Sequence, residues 1–406
     1  MNKIIILAAG ASSRFWPLSI QSHKAFYKCG LGKTIIEETV LSLLPLKPQE
    51  IDIVVSPKDL EKAKALFKDK NIKIFVQENP TGEGEALLEV FKSNDFKGTF
   101  FLTTADKINA GEILKLLEKE KQAIALRITD TPQFFGIASI DKDGNITSII
   151  EKPSIDKASS NHRITSGYLL NSEFIDLLKT VPNSHYSLEE ALNIYVKNSL
   201  VKGVFVDEIE DVKLKFPWDL LSINKQIQEK KDFKYIDKSA KIAKTAVIEG
   251  PVYIGKNVKV MDFVKIVGPV YIAEDSIIGD YCLIRQNVFI DTNVLIGSGS
   301  EIKNSIIYKG SSLHRNYIGD SILEEDVKIG AGTVIANRRN DRREIQTLVK
   351  EEKVLTGLTS FGAVIGSGSR IGINSSIMPG VKIGQKAHIW PASLILKDVL
   401  DNGVFK

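Results

Sequence analysis

Three short stretches carry side chains able to do chemistry. LAAGASSRFWPL (7–18) follows an apolar run, and a Gly/Ser turn of that kind offers backbone N–H groups to a phosphate. Arg14 adds a positive charge there, although a plain strand-to-helix turn would read the same way. The dinucleotide fingerprint G-x-G-x-x-G is absent. NRRNDRRE (337–344) carries four arginines, either a solvated loop or an anchor for a polyanion. SSLHRNYIGD (311–320) holds His314, one of five histidines in the chain. Neutral imidazole accepts a proton near neutral pH, so it suits a base, yet a lone loop histidine is commonly a surface residue.

Two different periodicities must position these residues. Up to about residue 228, apolar runs (IIILAA 4–9, DIVVS 52–56, IKIFV 72–76, TFFLTT 99–104) alternate with amphipathic segments (34–44, 58–68, 110–120). That alternation predicts a doubly wound α/β domain over 1–228, with its strands buried in a parallel sheet. A polar stretch around 229–238 is read as a linker. From Ile242 to Ile302 every sixth residue is Ile or Val, Tyr308 takes the next place, and the ladder resumes at Ile365, Ile371, Ile377, Ile383, Ile389 and Ile395. A hexapeptide period predicts a parallel β-helix over 239–406, each short strand turning one aliphatic side chain inward. His314 falls where the beat fails. A loop break there would let its side chain leave an otherwise flat wall.

Composition narrows the class. The 406 residues are 43% hydrophobic and 26% charged with a net charge of +4, which argues for small anions rather than nucleic acid. No apolar run reaches the roughly 18 residues of a membrane span. The N-terminus is not read as a signal peptide, and Cys29 and Cys282 are read as reduced thiols of a cytoplasmic protein.

Further features follow in a consistent order: Lys24, Gln77 before NPTGEGEA (79–86), Asp106 closing TFFLTTAD, FFGIASIDKDGNITSIIEKP (134–153), TSGYLL (165–170) and FPWDLLSIN (216–224). This set resembles the sugar-1-phosphate nucleotidylyltransferases. The hexapeptide repeat resembles the left-handed β-helix of the acyltransferase superfamily. With IRQN, EIKNS, HRNYIGDS and IGAGTVIAN it is similar to the acetyltransferase half of the bifunctional UDP-N-acetylglucosamine pyrophosphorylase/glucosamine-1-phosphate acetyltransferases, in an archaeal-type layout.

The resemblance implies attack of a sugar 1-phosphate on a nucleoside triphosphate. Ala8 and Gly10 would lie on the nucleotide, with Arg14 and Lys24 on its phosphates. Gln77 and Gly82 would read the base, Asp106 would hold Mg²⁺, and Gly136, Glu151, Lys152 and Thr165 would take the sugar. In the second half it implies His314 as base for N-acetylation by acetyl-coenzyme A. Arg285, Lys303 and Tyr317 would hold the sugar phosphate, while Asn337, Arg343 and Ser367 would line the acetyl-coenzyme A path. A homotrimer with shared sites is implied, with no membrane or nucleic-acid partner.

The sequence departs from that family at named places. His23 stands where a Pro precedes the lysine, Gly82-Glu83-Gly84 replaces Gly-Thr-Ala, Lys213 replaces a second metal-binding Asp or Asn, and Lys328 replaces an Asn. A monofunctional glucose- or mannose-type nucleotidylyltransferase using its β-helix to oligomerise stays open, as does a sugar-nucleotide sensor. A β-helix carbonic anhydrase is rejected: about three zinc-binding histidines are needed, and only His314 and His388 lie in this half.

Overall fold

The computed structural model describes residues 3–18, 22–92, 96–230 and 232–406. Contacts sort the chain into two units: Met1–Ala11, Gln21–Tyr27 and Thr34–Lys213 in the first, and Ser12–Ile20, Lys28–Lys33 and Leu214–Lys406 in the second. Two excursions from the N-terminal half thus group with the C-terminal one. So does strand Lys234–Ile236, which falls inside the stretch read as a linker yet pairs with Val252–Ile254. Among the described residues no helix is long and apolar enough to cross a membrane.

The first unit is built on β1 (Lys3–Ala8), β2 (Glu50–Val55), β3 (Ile72–Val76), β4 (Thr99–Thr104), β5 (Ala123–Ile128), β6 (Gly136–Ile140), β7 (Ile146–Glu151), β8 (His162–Asn171) and β9 (Lys202–Phe205). Their order is β9-β5-β8-β4-β1-β2-β3, with the β6–β7 hairpin joined to β8. Helices α1 (Ile35–Leu43), α2 (Leu60–Leu66), α3 (Glu83–Phe91), α4 (Ala110–Leu117), α5 (Ser172–Leu178) and α6 (Ser187–Asn198) cover both faces. Strand β1 shows why. Ile4 and Ile6 pack with Ile36 and Val40 of α1 and Leu114 of α4, whereas Ile5 and Leu7 pack with Leu87 of α3, Phe174 of α5 and Leu192 of α6. A strand buried on both sides has no polar alternation to display. Thr34 and Glu37 close a reciprocal cap at the start of α1. The sheet is mixed, because β8 runs antiparallel between β4 and β5. Strand β8 is antiparallel to β6 as well, so β7 and β8, which both pair antiparallel with β6, run in the same direction.

The second unit is a left-handed β-helix, with three walls of parallel strands, one of nine and two of eight. Val252, Val270 and Val288 stack in register 18 residues apart, as do Ile266 and Ile284 on the next wall. From Val252 onward the rungs turn buried aliphatic residues into one continuous core, against which the partly buried Ile242 and Ile248 of the first coil pack. Helix α7 (Asp219–Lys230) packs alongside, and Asn224 reaches from it to Gly30 N and Asn287 O.

The expected break in the repeat is not a loop. Ile307, not Tyr308, follows Ile302 inward. The ladder continues through Leu313, Ile318, Leu323 and Ile329 in steps of five and six, with wall-to-wall pairing intact. Tyr308 stands outside, donating to Lys28 O at 2.9 Å. Trimming one residue from a corner keeps the inward face in phase, so the sixfold count fails while the fold persists. The chain leaves the coil later, between Val334–Ile335 and Ala363–Ile365, where Gln346–Val349 and Glu352–Leu355 form a hairpin.

This register is testable. Ile307→Ala and Ile302→Ala should each lower stability by about 2–5 kcal/mol, as cavities in a close-packed core do. Tyr308→Phe, which loses one hydrogen bond, should lower it by about 1 kcal/mol. Urea midpoints followed by ellipticity would reverse the assignment if Tyr308→Phe were the more damaging change.

Candidate functional site

In the first unit the chemistry gathers beyond the C-terminal ends of β1 and β4, where strands of an open α/β sheet leave a crevice. Ala8 ends β1, buried, and Gly10 follows it in the open. Lys24 Nζ lies 3.8 Å from Asp106 Oδ2. Burial alone would raise the Asp106 carboxyl, but Lys24 and Lys107, with a bond from Thr104, hold it below the usual range. His23 is buried, its pKa lowered to about 3 by desolvation and the neighbouring Lys24 charge. Its Nδ1 accepts from Ala25 N at 3.2 Å, capping the turn that presents Lys24. Asp59, fully buried, holds that turn from below, accepting from Ser22 Oγ at 2.6 Å and His23 N at 3.0 Å. Arg14 is exposed and sorts with the second unit.

Gln77, after β3, is buried and donates through Nε2 to Gly82 O at 3.0 Å. Gly82 has φ 152°, and a Cβ there would lie 2.8 Å from Ser184 O, so glycine is required at this turn into α3. Gly136 pairs with Glu151 across the β6–β7 hairpin, and a Cβ would sit 2.9 Å from the Glu151 carboxylate. Lys152 Nζ is 3.0 Å from Glu151 and 4.7 Å from the centre of the Tyr186 ring. Thr165 is buried in a bulge of β8. Glu189, on α6, faces this group. Desolvation, then the Glu83 charge, raises its pKa to about 7, and its Oε2 is buried without a hydrogen-bond partner.

Asp106 is the carboxylate that the resemblance assigns to a metal, and Lys24 already lies beside it. Asp211, the nearest candidate to replace the missing second ligand, pairs instead with Arg163, with Arg127 at 3.6 Å and with Lys213 at 3.3 Å. Among the described residues no cluster of three or more His, Cys, Asp or Glu could hold an ion. Asp106 therefore fits Mg²⁺ only in the manner usual for that ion, one protein carboxylate with substrate phosphates completing the shell. Lys107, buried and donating to Val212 O at 2.9 Å, adds a cation that the sequence reading missed, although it directly follows Asp106.

In the second unit Arg285 and Lys303 occupy successive rungs of one wall, about 4.8 Å apart. Arg285 is held by Glu301 at 2.6 Å, and Lys303 lies 3.6 Å from Asp320. Gly319 takes the next rung. A Cβ there would lie 2.8 Å from Asn337 Nδ2 and 2.9 Å from Tyr317 Oη, so the missing side chain makes room for both. Asn337 and Asn304 each donate to Asp320, and Tyr317 Oη is 3.4 Å from Asn337. His314 stands at the corner leading into this wall, exposed, with Nδ1 over Gly297 of the preceding coil. Its N–H donates to Asn316, whose amide bonds onward to Gly330 O and Thr333 O. Arg285, Lys303, Tyr317 and Asn337 thus share one wall with His314 at its edge. Ser367 does not join them. It sits at a different corner, donating from its N–H to Glu324, and Arg343 lies in the exposed segment before the hairpin. Lys328 bonds to Gly310 O at 2.6 Å, away from that wall.

A phosphate-type cleft in an α/β unit followed by a hexapeptide β-helix defines a transferase of two halves. Residues 3–218 match the nucleotidyl transferase family, 266–359 the GMPPB C-terminal domain and 362–397 the bacterial transferase hexapeptide. The chain is 32% identical to a bifunctional sugar-1-phosphate nucleotidylyltransferase/acetyltransferase of Sulfurisphaera tokodaii, over all of both chains. It is 35% identical to the bifunctional protein GlmU of Methanococcus aeolicus, covering 99% of this chain and 97% of that one, and 32% identical to its namesake in Methanocaldococcus jannaschii, covering 98% and 96%. The chain belongs to this family of bifunctional nucleotidylyltransferase/acetyltransferases.

The raised Glu189 predicts a pH effect. The folded chain keeps a proton that the unfolded chain releases near its ordinary 4.5, so stability falls as pH rises from about 4.5 through 7. Glu189→Gln should flatten that fall and leave the variant more stable than wild type at pH 8 by about 1–2 kcal/mol. Thermal midpoints between pH 4 and 8 check this, and parallel curves for the two proteins would refute it.

Proposed function

We propose that the chain makes a nucleotide-activated N-acetyl amino sugar of the UDP-N-acetylglucosamine kind, in the cytoplasm, from an amino-sugar 1-phosphate, acetyl-coenzyme A and a nucleoside triphosphate. In the β-helix the amine of the sugar attacks the thioester carbon. A C–N bond forms, the C–S bond breaks, and His314 removes the amine proton that leaves with the thiol. Arg285 and Lys303, stacked on the wall beside it, hold the phosphate, with Tyr317 and Asn337 on the sugar. Ser367 and Arg343 line the coenzyme path from a neighbouring copy, which calls for a trimer.

In the α/β unit a phosphate oxygen of the sugar attacks the α-phosphorus, and pyrophosphate leaves. Little covalent work falls to the protein, so charge and position dominate. Lys24 and Arg14 sit on the phosphates, the Gln77–Gly82 turn on the base, and Gly136, Glu151, Lys152 and Thr165 on the sugar. Asp106 would hold Mg²⁺, which when bound would supply charge neutralisation of the phosphates. The observation that supports this reading most is the Lys24–Asp106 pair at the sheet's C-terminal edge, braced by buried Asp59.

Wild-type chain should release pyrophosphate in a panel of four nucleoside triphosphates against several sugar 1-phosphates with Mg²⁺, and free coenzyme A with glucosamine 1-phosphate. His314→Ala should lower acetyl transfer by about 10²–10⁴-fold with pyrophosphate release intact. No coenzyme A release by wild type would favour the monofunctional alternative, and no pyrophosphate release would favour the sensor. Light scattering should give three times the chain mass.

A further inference from the structure

Capping the turn before Lys24 occupies only one edge of the His23 ring. Nδ1 accepts from Ala25 N at 3.2 Å, and the backbone N–H of His23 donates to buried Asp59 at 3.0 Å, so the imidazole is fixed at the start of the short turn Lys24–Phe26. An Asn, Ser or Asp would cap that turn as well, with no ring to bury. A neutral imidazole whose Nδ1 accepts carries its proton on Nε2. That second N–H bonds to nothing among the described residues. The side chain is only 5% exposed, and an unpaired donor in such a place costs free energy. Its Nε2 edge faces exposed Gly10, two residues past β1. A Cβ on Gly10 would lie 3.8 Å from Nε2 and, beyond its chain neighbours, within 4 Å of nothing else. Desolvation and the Lys24 charge keep the ring neutral, and a proton on Nδ1 would also break the cap.

We infer that His23 binds the nucleoside triphosphate, donating from Nε2 to a phosphate oxygen that lies over Gly10. The ring N–H and the ammonium of Lys24, the next residue, both donate. An ionised phosphate oxygen accepts and has no proton to give, so it suits this pair better than a ribose hydroxyl does. Gly10 serves the same contact, since a side chain there would stand between the ring and the ligand. The inference rests on the proposed nucleotidyl-transfer reading. It adds a donor that the resemblance does not assign, because the Pro that stands at this place in that family has no side-chain N–H.

The test uses full-length protein, Mg²⁺ and whichever nucleoside triphosphate supports pyrophosphate release, with sugar 1-phosphate left out so that binding occurs without turnover. In wild type carrying isotope-labelled histidine, one Nε2–H resonance should move downfield and exchange more slowly when the triphosphate is added. His23→Asn, which keeps a capping oxygen and loses the ring donor, should lack that resonance. Its dissociation constant for the triphosphate, measured by calorimetry, should rise about tenfold, as loss of a hydrogen bond to a charged group does. Its thermal midpoint should stay within about 3 °C of wild type. Should His23→Asn not fold, His23→Ser, which also caps, takes its place. If wild type releases pyrophosphate and the variant binds the triphosphate as tightly, the contact is overturned while the proposed function stands. Weaker binding with no responding histidine resonance in wild type makes the ring merely structural and also overturns it. Wild type that releases no pyrophosphate with any triphosphate overturns the contact together with the reading beneath it.

Discussion

Parallel stacking of short strands is the constraint on which the second half depends. Each rung must place one aliphatic side chain over the last, because the core is a column with no other elements to fill it. Outward residues are then fixed in ranks. Once Ile284, Ile302 and Ile318 face inward, Arg285, Lys303 and Gly319 must face out on one wall in that order. The alignment of cations is a consequence of burying isoleucines. The corners carry what varies. One residue is trimmed near Tyr308, His314 is presented next to Gly297, and a hairpin is inserted where the wall ends.

What was legible in the sequence follows the same division. The β-helix could be read because its period is local and its inward residues are of one type. The apolar strands β1 to β4 could be read because burial on both faces leaves no polar interruption. The antiparallel β8 could not, since its direction follows from its pairing with β4, β5 and β6, which no local pattern announces. The break at 311–320 was misjudged for a related reason. Counting by six treats a five-residue corner as lost order, whereas the coil needs only that the inward face return in phase.

At the sites, side chains near the quoted motifs were legible and their supports were not. Asp59 lies 36 residues from His23, and Asn316 fastens the His314 corner through carbonyls of a later coil. Neither follows from spacing, because each depends on which segments the fold brings together. Lys107 and Glu189 belong to the same class. A lysine after an aspartate and a glutamate on an amphipathic helix are unremarkable until burial is known.

The cations of both units already have carboxylates beside them. Lys24 faces Asp106, Arg285 faces Glu301, Lys303 faces Asp320, and Arg127, Arg163 and Lys213 converge on Asp211. An unpaired cation held beside apolar walls would be costly, and a carboxylate partner offsets that cost in the free protein. A phosphate that enters must compete with those carboxylates, so the net attraction is smaller than a count of lysines and arginines suggests. What the site gains is geometry, for the cations are already held in place and need little reordering on binding. Asp211 marks the limit of this arrangement. With three cations on one carboxylate, the cluster around Asp211 keeps a surplus of positive charge, to which buried Lys107 adds.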